Sequence, residues 1–114
     1  MVLMDGIRVL AIHTFPTSGE PAVDHASVRV TQEGLEGDRP KKAAVSVVGA
    51  DSPATRSNLV LDAPTAQVEA LDGQVVRIGG VLLALRVTGS SCPGLYAAVG
   101  EAGSIRVGDR LEPA

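Results

Sequence analysis

Val75-Val76-Arg77-Ile78-Gly79-Gly80-Val81-Leu82-Leu83-Ala84-Leu85-Arg86-Val87-Thr88 is the stretch on which the fold turns. Two Val-rich runs flank Gly79-Gly80, and a glycine pair between such runs signals the two-residue turn of a β-hairpin. In the second run Val81, Leu83, Leu85 and Val87 fall on one face, with Arg86 and Thr88 on the other. A period of two is that of a strand. It predicts that Leu83, Leu85 and Val87 are buried and that Arg86 is not.

The same grammar extends outward. Ile7 to His13 has apolar residues on both faces and reads as a central strand, with Ile7, Val9 and Ala11 on one side and Leu10 and Ile12 on the other. Thr14 to Asp24 reads as a loop, because Pro16, Gly19 and Pro21 interrupt it. Val28 to Val30 is a short strand, Glu33 to Lys42 a polar turn region, Ala43 to Val48 an apolar strand and Asn58 to Leu61 a short extended piece. Asp62 to Gly73 is the main helix candidate, with Pro64 in its first turn, Gly73 as its stop and Val68 and Leu71 facing the core. Gly94 to Glu101 reads as a second short helix, and Ser104 to Leu111 as a final strand with a turn at Gly108-Asp109. Many short strands and no alternation of strands with helices predict a mainly β chain: a closed or nearly closed barrel with one or two short helices, formed as a single domain over residues 1–114.

Composition bounds the function. The chain has 114 residues, 45% hydrophobic and 20% charged, which is ordinary globular usage. Its net charge of -3 and its two aromatic residues, Phe15 and Tyr96, argue against a nucleic-acid partner. Neither a basic footprint nor a base-stacking surface is there. No apolar run is long enough to span a bilayer, and the N-terminal residues lack the pattern of a secretory signal. With one cysteine no internal disulfide can form, so the expected location is cytoplasmic.

Three places could carry chemistry. Cys92 lies in Ser90-Ser91-Cys92-Pro93-Gly94. One reading is a small buried hydrophobe. The other is a nucleophile at the N-cap of the expected helix, where free N–H groups favour the thiolate. Glu33 to Lys42 contains Gly34, Gly37, Asp38, Arg39, Lys41 and Lys42. It reads either as a pocket for an anion, with Arg39 binding in bidentate fashion, or as a solvated hairpin tip. Arg56 and Asn58 are a polar pair entering a strand, read as ligand donors or as turn chemistry. His13 and His25 have no partner at metal-ligand spacing, so no zinc site is expected.

In order along the chain, Gly34-Leu35-Glu36-Gly37-Asp38-Arg39, Ser57-Asn58-Leu59-Val60, Gly73 to Gly80, and Cys92 leading into Gly103 to Asp109 resemble a MOSC domain. This is the module found at the C-terminus of molybdenum-cofactor sulfurases and as free-standing proteins. The resemblance spans roughly Asp5 to Leu111. It implies a MOSC-type β-barrel that handles activated sulfur or binds molybdopterin, the molybdenum cofactor. It also implies that Cys92 carries a persulfide or ligates the metal, and that Asp38, Arg39, Lys41, Arg56 and Asn58 stand near the ligand. The partner would be the cofactor or a sulfur donor or acceptor protein. The family's Gly-Asp-Arg is usually followed by His, where this chain has Pro40, and the span from Arg39 to Asn58 is short. The competing function is a non-catalytic barrel that binds an anionic small molecule or a protein.

Overall fold

A computed structural model describes residues 6–17, 19–39, 43–52, 57–89 and 93–114. Its strands are β1 (Val9–Thr14), β2 (Val23–His25), β3 (Ser27–Thr31), β4 (Gly34–Leu35), β5 (Val45–Gly49), β6 (Leu59–Leu61), β7 (Val75–Ile78), β8 (Val81–Val87), β9 (Leu95–Glu101), β10 (Gly103–Arg106) and β11 (Leu111–Pro113), with one helix, α1 (Thr65–Glu69), after β6. Eight strands form one sheet in the order β11-β7-β8-β9-β5-β6-β1-β2, and β10-β3-β4 form a second. Among the described residues no helix is long and apolar enough to cross a membrane.

The large sheet curls into a half barrel and is not fully closed. Its far ends meet near Arg8 and Arg110, at one isolated bridge. The Val9 N–H donates to the Asp109 carbonyl at 2.9 Å and the Leu111 N–H to the Ile7 carbonyl at 3.0 Å. β1 has one edge taken by β6, and β2 pairs with Ile12 to Thr14 on the other. That leaves β11 only the start of β1, so the seam stops after one bridge.

The predicted hairpin is present: Ile78 pairs with Val81 across Gly79-Gly80. Leu83 and Leu85 are buried at 0% and 4% exposure, but Val87 is 51% exposed. It keeps the phase of the core face yet lies half exposed at the open rim. In β1 the strict alternation fails. Val9 pairs with Leu61 and Ala11 with Val60, so the strand bulges between them. The extra residue resets the phase, as bulges do. Ile12 therefore joins Val9 in the core, and Leu10 is turned to solvent.

The second expected helix is a strand. Leu95, Ala97 and Val99 are buried and alternate with exposed or half-buried neighbours along β9. Leu82 pairs with Glu101 and Leu83 with Val99, which makes Gly100 the bulged residue. Long pairing with β8 and β5 overrides the helix preference of its alanines. The other helix is shorter than expected. After Glu69 the chain tightens into i→i+3 turns, with the Leu71 N–H on the Val68 carbonyl and the Asp72 N–H on the Glu69 carbonyl. Val68 and Leu71 are fully buried, as their spacing required. The expected loop before Asp24 already contains Val23 of β2, and the polar turn region contains β4. The expected final strand is two strands in different sheets, separated at Gly108-Asp109.

Candidate functional site

Register brings together residues that are distant in sequence. The inner face of the large sheet carries Ile12, Leu59, Val47, Leu95 and Leu85, all buried. One step along each strand lies the outer face. There Asp24 pairs with His13, Ser46 with Tyr96 and Tyr96 with Arg86. Asn58, just before β6, joins the two halves. Leu59 pairs with both Ile12 and Val47, so the residue before it lies beside His13 and Ser46. Asp24, His13, Asn58, Ser46, Tyr96 and Arg86 thus form one polar row across six strands.

Asn58 is the centre of the row and has no exposed surface. Its Nδ2 donates to the His13 carbonyl at 3.1 Å and to Asp38 Oδ2 at 3.0 Å. Its Oδ1 accepts from the Ser46 N–H at 3.0 Å and from the Ser46 hydroxyl at 3.3 Å. Both amide hydrogens and both acceptor positions are therefore taken. The Asp38 carboxylate also accepts from the Phe15 N–H at 2.8 Å. The turn carrying Asp38 is laid across the outer face at this point and shields Asn58 from water. Gly34 makes the approach possible: its φ is +121°, and a Cβ there would sit 2.2 Å from the Ala44 carbonyl oxygen.

Left of Asn58, His13 Nδ1 meets Asp24 Oδ1 at 2.7 Å, with side-chain exposures of 26% and 82%. The Thr14 hydroxyl and His25 Nε2 are 2.8 Å apart on the opposite face of the same strand pair. Right of Asn58 the row opens into a groove of about 590 Å³. Ala44, Ala84 and Ala98 line it, with Tyr96, Arg86 and Gln32 around them. A second groove of about 470 Å³ shares Gln32 and Ala44 with it and runs past Glu33 and Glu36 to Asp38.

Of the residues singled out in the sequence, Asp38 and Asn58 are brought into direct contact. Arg39 follows them, exposed, with its N–H on the Phe15 carbonyl at 3.4 Å. Cys92, Lys41, Arg56 and Pro40 lie outside the described residues. The stems on either side of Cys92 are described. The Val87 N–H donates to Asp72 Oδ1 at 2.8 Å, and the Gly94 N–H donates to Glu69 Oε2 at 2.8 Å. Gly94 enters a strand, so the helix N-terminus expected to favour a thiolate is not formed. Both stems instead end on carboxylates. Among the described residues no group of three or more His, Cys, Asp or Glu side chains is placed to hold a metal.

The sequence reading passed over Ser46, Tyr96, Arg86 and the pairing of His13 with Asp24. Alternation in β8 does turn Arg86 outward, and that was the available signal. Which residues flank it depends on register between strands far apart in the chain.

No family model and no curated protein matches the sequence. Solved structures do match the fold. A hypothetical protein superposes with a TM-score of 0.69 at 16% identity, over 93% of this chain and 67% of its own. The YuaD protein from Bacillus subtilis superposes with a TM-score of 0.69 at 11% identity, over 92% of this chain and 93% of its own. YiiM from Escherichia coli superposes with a TM-score of 0.64 at 18% identity, over 94% of this chain and 69% of its own. At these identities the likeness is one of fold: the chain shares the curled β architecture of YuaD and YiiM.

Proposed function

We propose that the chain is a MOSC-like module whose outer-face row is its ligand side, and that Cys92 handles sulfur. The observation that carries this reading is the 3.0 Å bond from Asn58 to Asp38. It joins Gly-Leu-Glu-Gly-Asp-Arg to Ser-Asn-Leu-Val, two of the four segments on which the resemblance rests. The likeness of fold to YiiM, a MOSC-domain protein, supports it. Arg86 and Tyr96 pair one step inside Val87 and Leu95, and Cys92 falls between those two residues in the chain.

The chemistry is thiol–persulfide exchange. The Cys92 thiolate attacks the terminal sulfur of a donor persulfide. A new S–S bond forms on Cys92, the donor's S–S bond breaks, and the donor leaves as a thiolate, so no oxidant is needed. The carboxylates of Glu69 and Asp72 hold the start of β9 and the end of β8 through the Gly94 and Val87 N–H groups. A cation is what favours a thiolate, and Arg86 is the described cation of the ligand side.

The molybdenum cofactor fits the described residues poorly. Asn58 has no amide hydrogen or lone pair left for a pterin or its phosphate, and Asp38 is committed to Asn58 and Phe15. These two residues shape the ligand side, and no step is assigned to that cofactor. A second reading, a barrel that binds an anionic small molecule without covalent chemistry, is favoured by Arg86 in the groove.

The test is alkylation of the folded protein by iodoacetamide as a function of pH, with mass spectrometry after exposure to a low-molecular-weight persulfide. Reaction at neutral pH and a gain of one sulfur atom, both abolished by Cys92→Ser, are the expected results. Alkylation only on unfolding, with no added sulfur, would leave the binding reading.

A further inference from the structure

The outer face of β8 and β9 has an unusual floor. Ala84 pairs directly with Ala98, and the register of Val45 with Ala97 puts Ala44 on the far side of Ala98. Three alanines in a row are a poor choice for a water-facing sheet, where β-branched and aromatic side chains are favoured. They clear a flat apolar strip at the bottom of the 590 Å³ groove.

The next row is polar. Arg86 and Tyr96 stand side by side, and Gln32 reaches the groove from the β3–β4 turn. Among the described residues none of these three side chains has a hydrogen-bond partner or ion pair. The guanidinium, the phenol and the carboxamide all have donors to offer. Among the described residues no carboxylate lines this groove. Glu33 and Glu36 line the neighbouring one, and Asp72 lies behind Arg86 in a shallow hollow, its Oδ1 taken by the Val87 N–H. A ligand's negative group is therefore drawn to the Arg86 end and repelled from the other.

We infer that the groove binds a small aromatic oxyanion, with its ring flat on Ala84 and Ala98 beside Tyr96 and its carboxylate or phosphate on the Arg86 guanidinium. A charge-assisted, bidentate contact supplies the affinity at one end, and apolar area supplies it at the other. This rests on the anion-binding reading of the face and not on Cys92.

The experiment is titration with phenyl phosphate, benzoate, phenol and inorganic phosphate, followed by calorimetry and by the ring resonances of Tyr96. Tyr96 is the one tyrosine in the chain, so its signals report the groove without assignment. Phenyl phosphate and benzoate should bind and shift these resonances, whereas phenol and inorganic phosphate should each bind at least about tenfold more weakly. Arg86→Gln should weaken the aromatic anions by about tenfold or more, the loss of one charge-assisted contact. Ala98→Leu should block them by filling the floor. Whichever of the two aromatic anions binds more tightly identifies the head group. Inorganic phosphate binding as well as phenyl phosphate would keep an anion site and overturn the aromatic one. Tyr96 signals that do not move with any probe would overturn both. A dimer in sedimentation that Ala84→Glu splits would overturn them too, by showing that a second copy covers the strip.

Discussion

The two faces of one sheet are held by different physics. On the inner face Leu83 and Leu85 of β8 pack among Val76, Ile78, Val99 and Leu95, and an apolar side chain of the right volume would serve. On the outer face Asn58 is equally buried, yet it is fixed by four directed bonds to groups on two strands and a turn. Volume errors on the first face cost in proportion to the space left. Chemical errors on the second strand several partners at once. The candidate site lies where the second kind of order prevails.

The sharpest way to break that contrast is Asn58→Leu, which keeps the volume and removes every directed bond. It leaves the Ser46 N–H, the His13 carbonyl and the Asp38 carboxylate without their partner, at roughly 1–3 kcal/mol for each buried orphan. A loss above about 3 kcal/mol is expected in urea unfolding, together with detachment of the turn around Asp38. A loss below about 1 kcal/mol would show that the outer face is held by packing as well.

Leu85→Ala tests the inner face. It should cost roughly 2–5 kcal/mol, the range for a buried leucine whose site collapses incompletely. Chemical denaturation gives the value directly, and Leu85→Met, which conserves volume, should recover most of it. A Met variant as unstable as the Ala variant would mean that shape matters more on this face than the contrast allows.

Arg77 and Glu101 join two strands on the outer face through a 2.8 Å contact, with side chains 41% and 55% exposed. A directed bond open to water is screened, so Arg77→Gln should cost less than about 1 kcal/mol. A double-mutant cycle with Glu101→Gln measures the coupling. A large coupling would show that burial is not what gives Asn58 its weight.

The smallest effect belongs to Asp51, outside both faces. The Thr65 N–H, at 2.7 Å from Oδ1, and then the Thr65 hydroxyl hold its carboxyl below the usual 3.8. A carboxyl lowered on folding contributes stability above its unfolded pKa and loses it as the pH falls through the folded value. Acid titration of Asp51→Asn should therefore show a shallower decline below pH 3.8 than the parent, with the two curves parallel at neutral pH. A parent whose stability falls no more steeply than that of Asp51→Asn as the pH drops through the acid range would refute the assignment.

Local order was legible in the chain where it depends on neighbours in sequence. The Gly79-Gly80 hairpin, the burial of Leu83 and Leu85, and the inward Val68 and Leu71 follow from turn chemistry and periodicity, which act over a few residues. Alternation also marks Leu95, Ala97 and Val99 as one face of a strand. A helix start after Cys92 competes with it, and only pairing with β8 and β5 decides between the two. The bulge between Val9 and Ala11, which sends Ile12 inward, has no local signal at all.

The candidate site divides the same way. Gly34, Asp38 and Asn58 could be picked out as chemistry-bearing by type and spacing. That Asp38 bonds to Asn58, and that Ser46, Tyr96 and Arg86 continue the row, could not. Strand register fixes which side chains become neighbours, and register is settled by the joint packing of an inner face assembled from the whole chain. Along an unbroken strand the sequence determined which residues alternate with the core face. The tertiary structure alone decided which of them meet, because a sheet's neighbours are set across its strands and not along them.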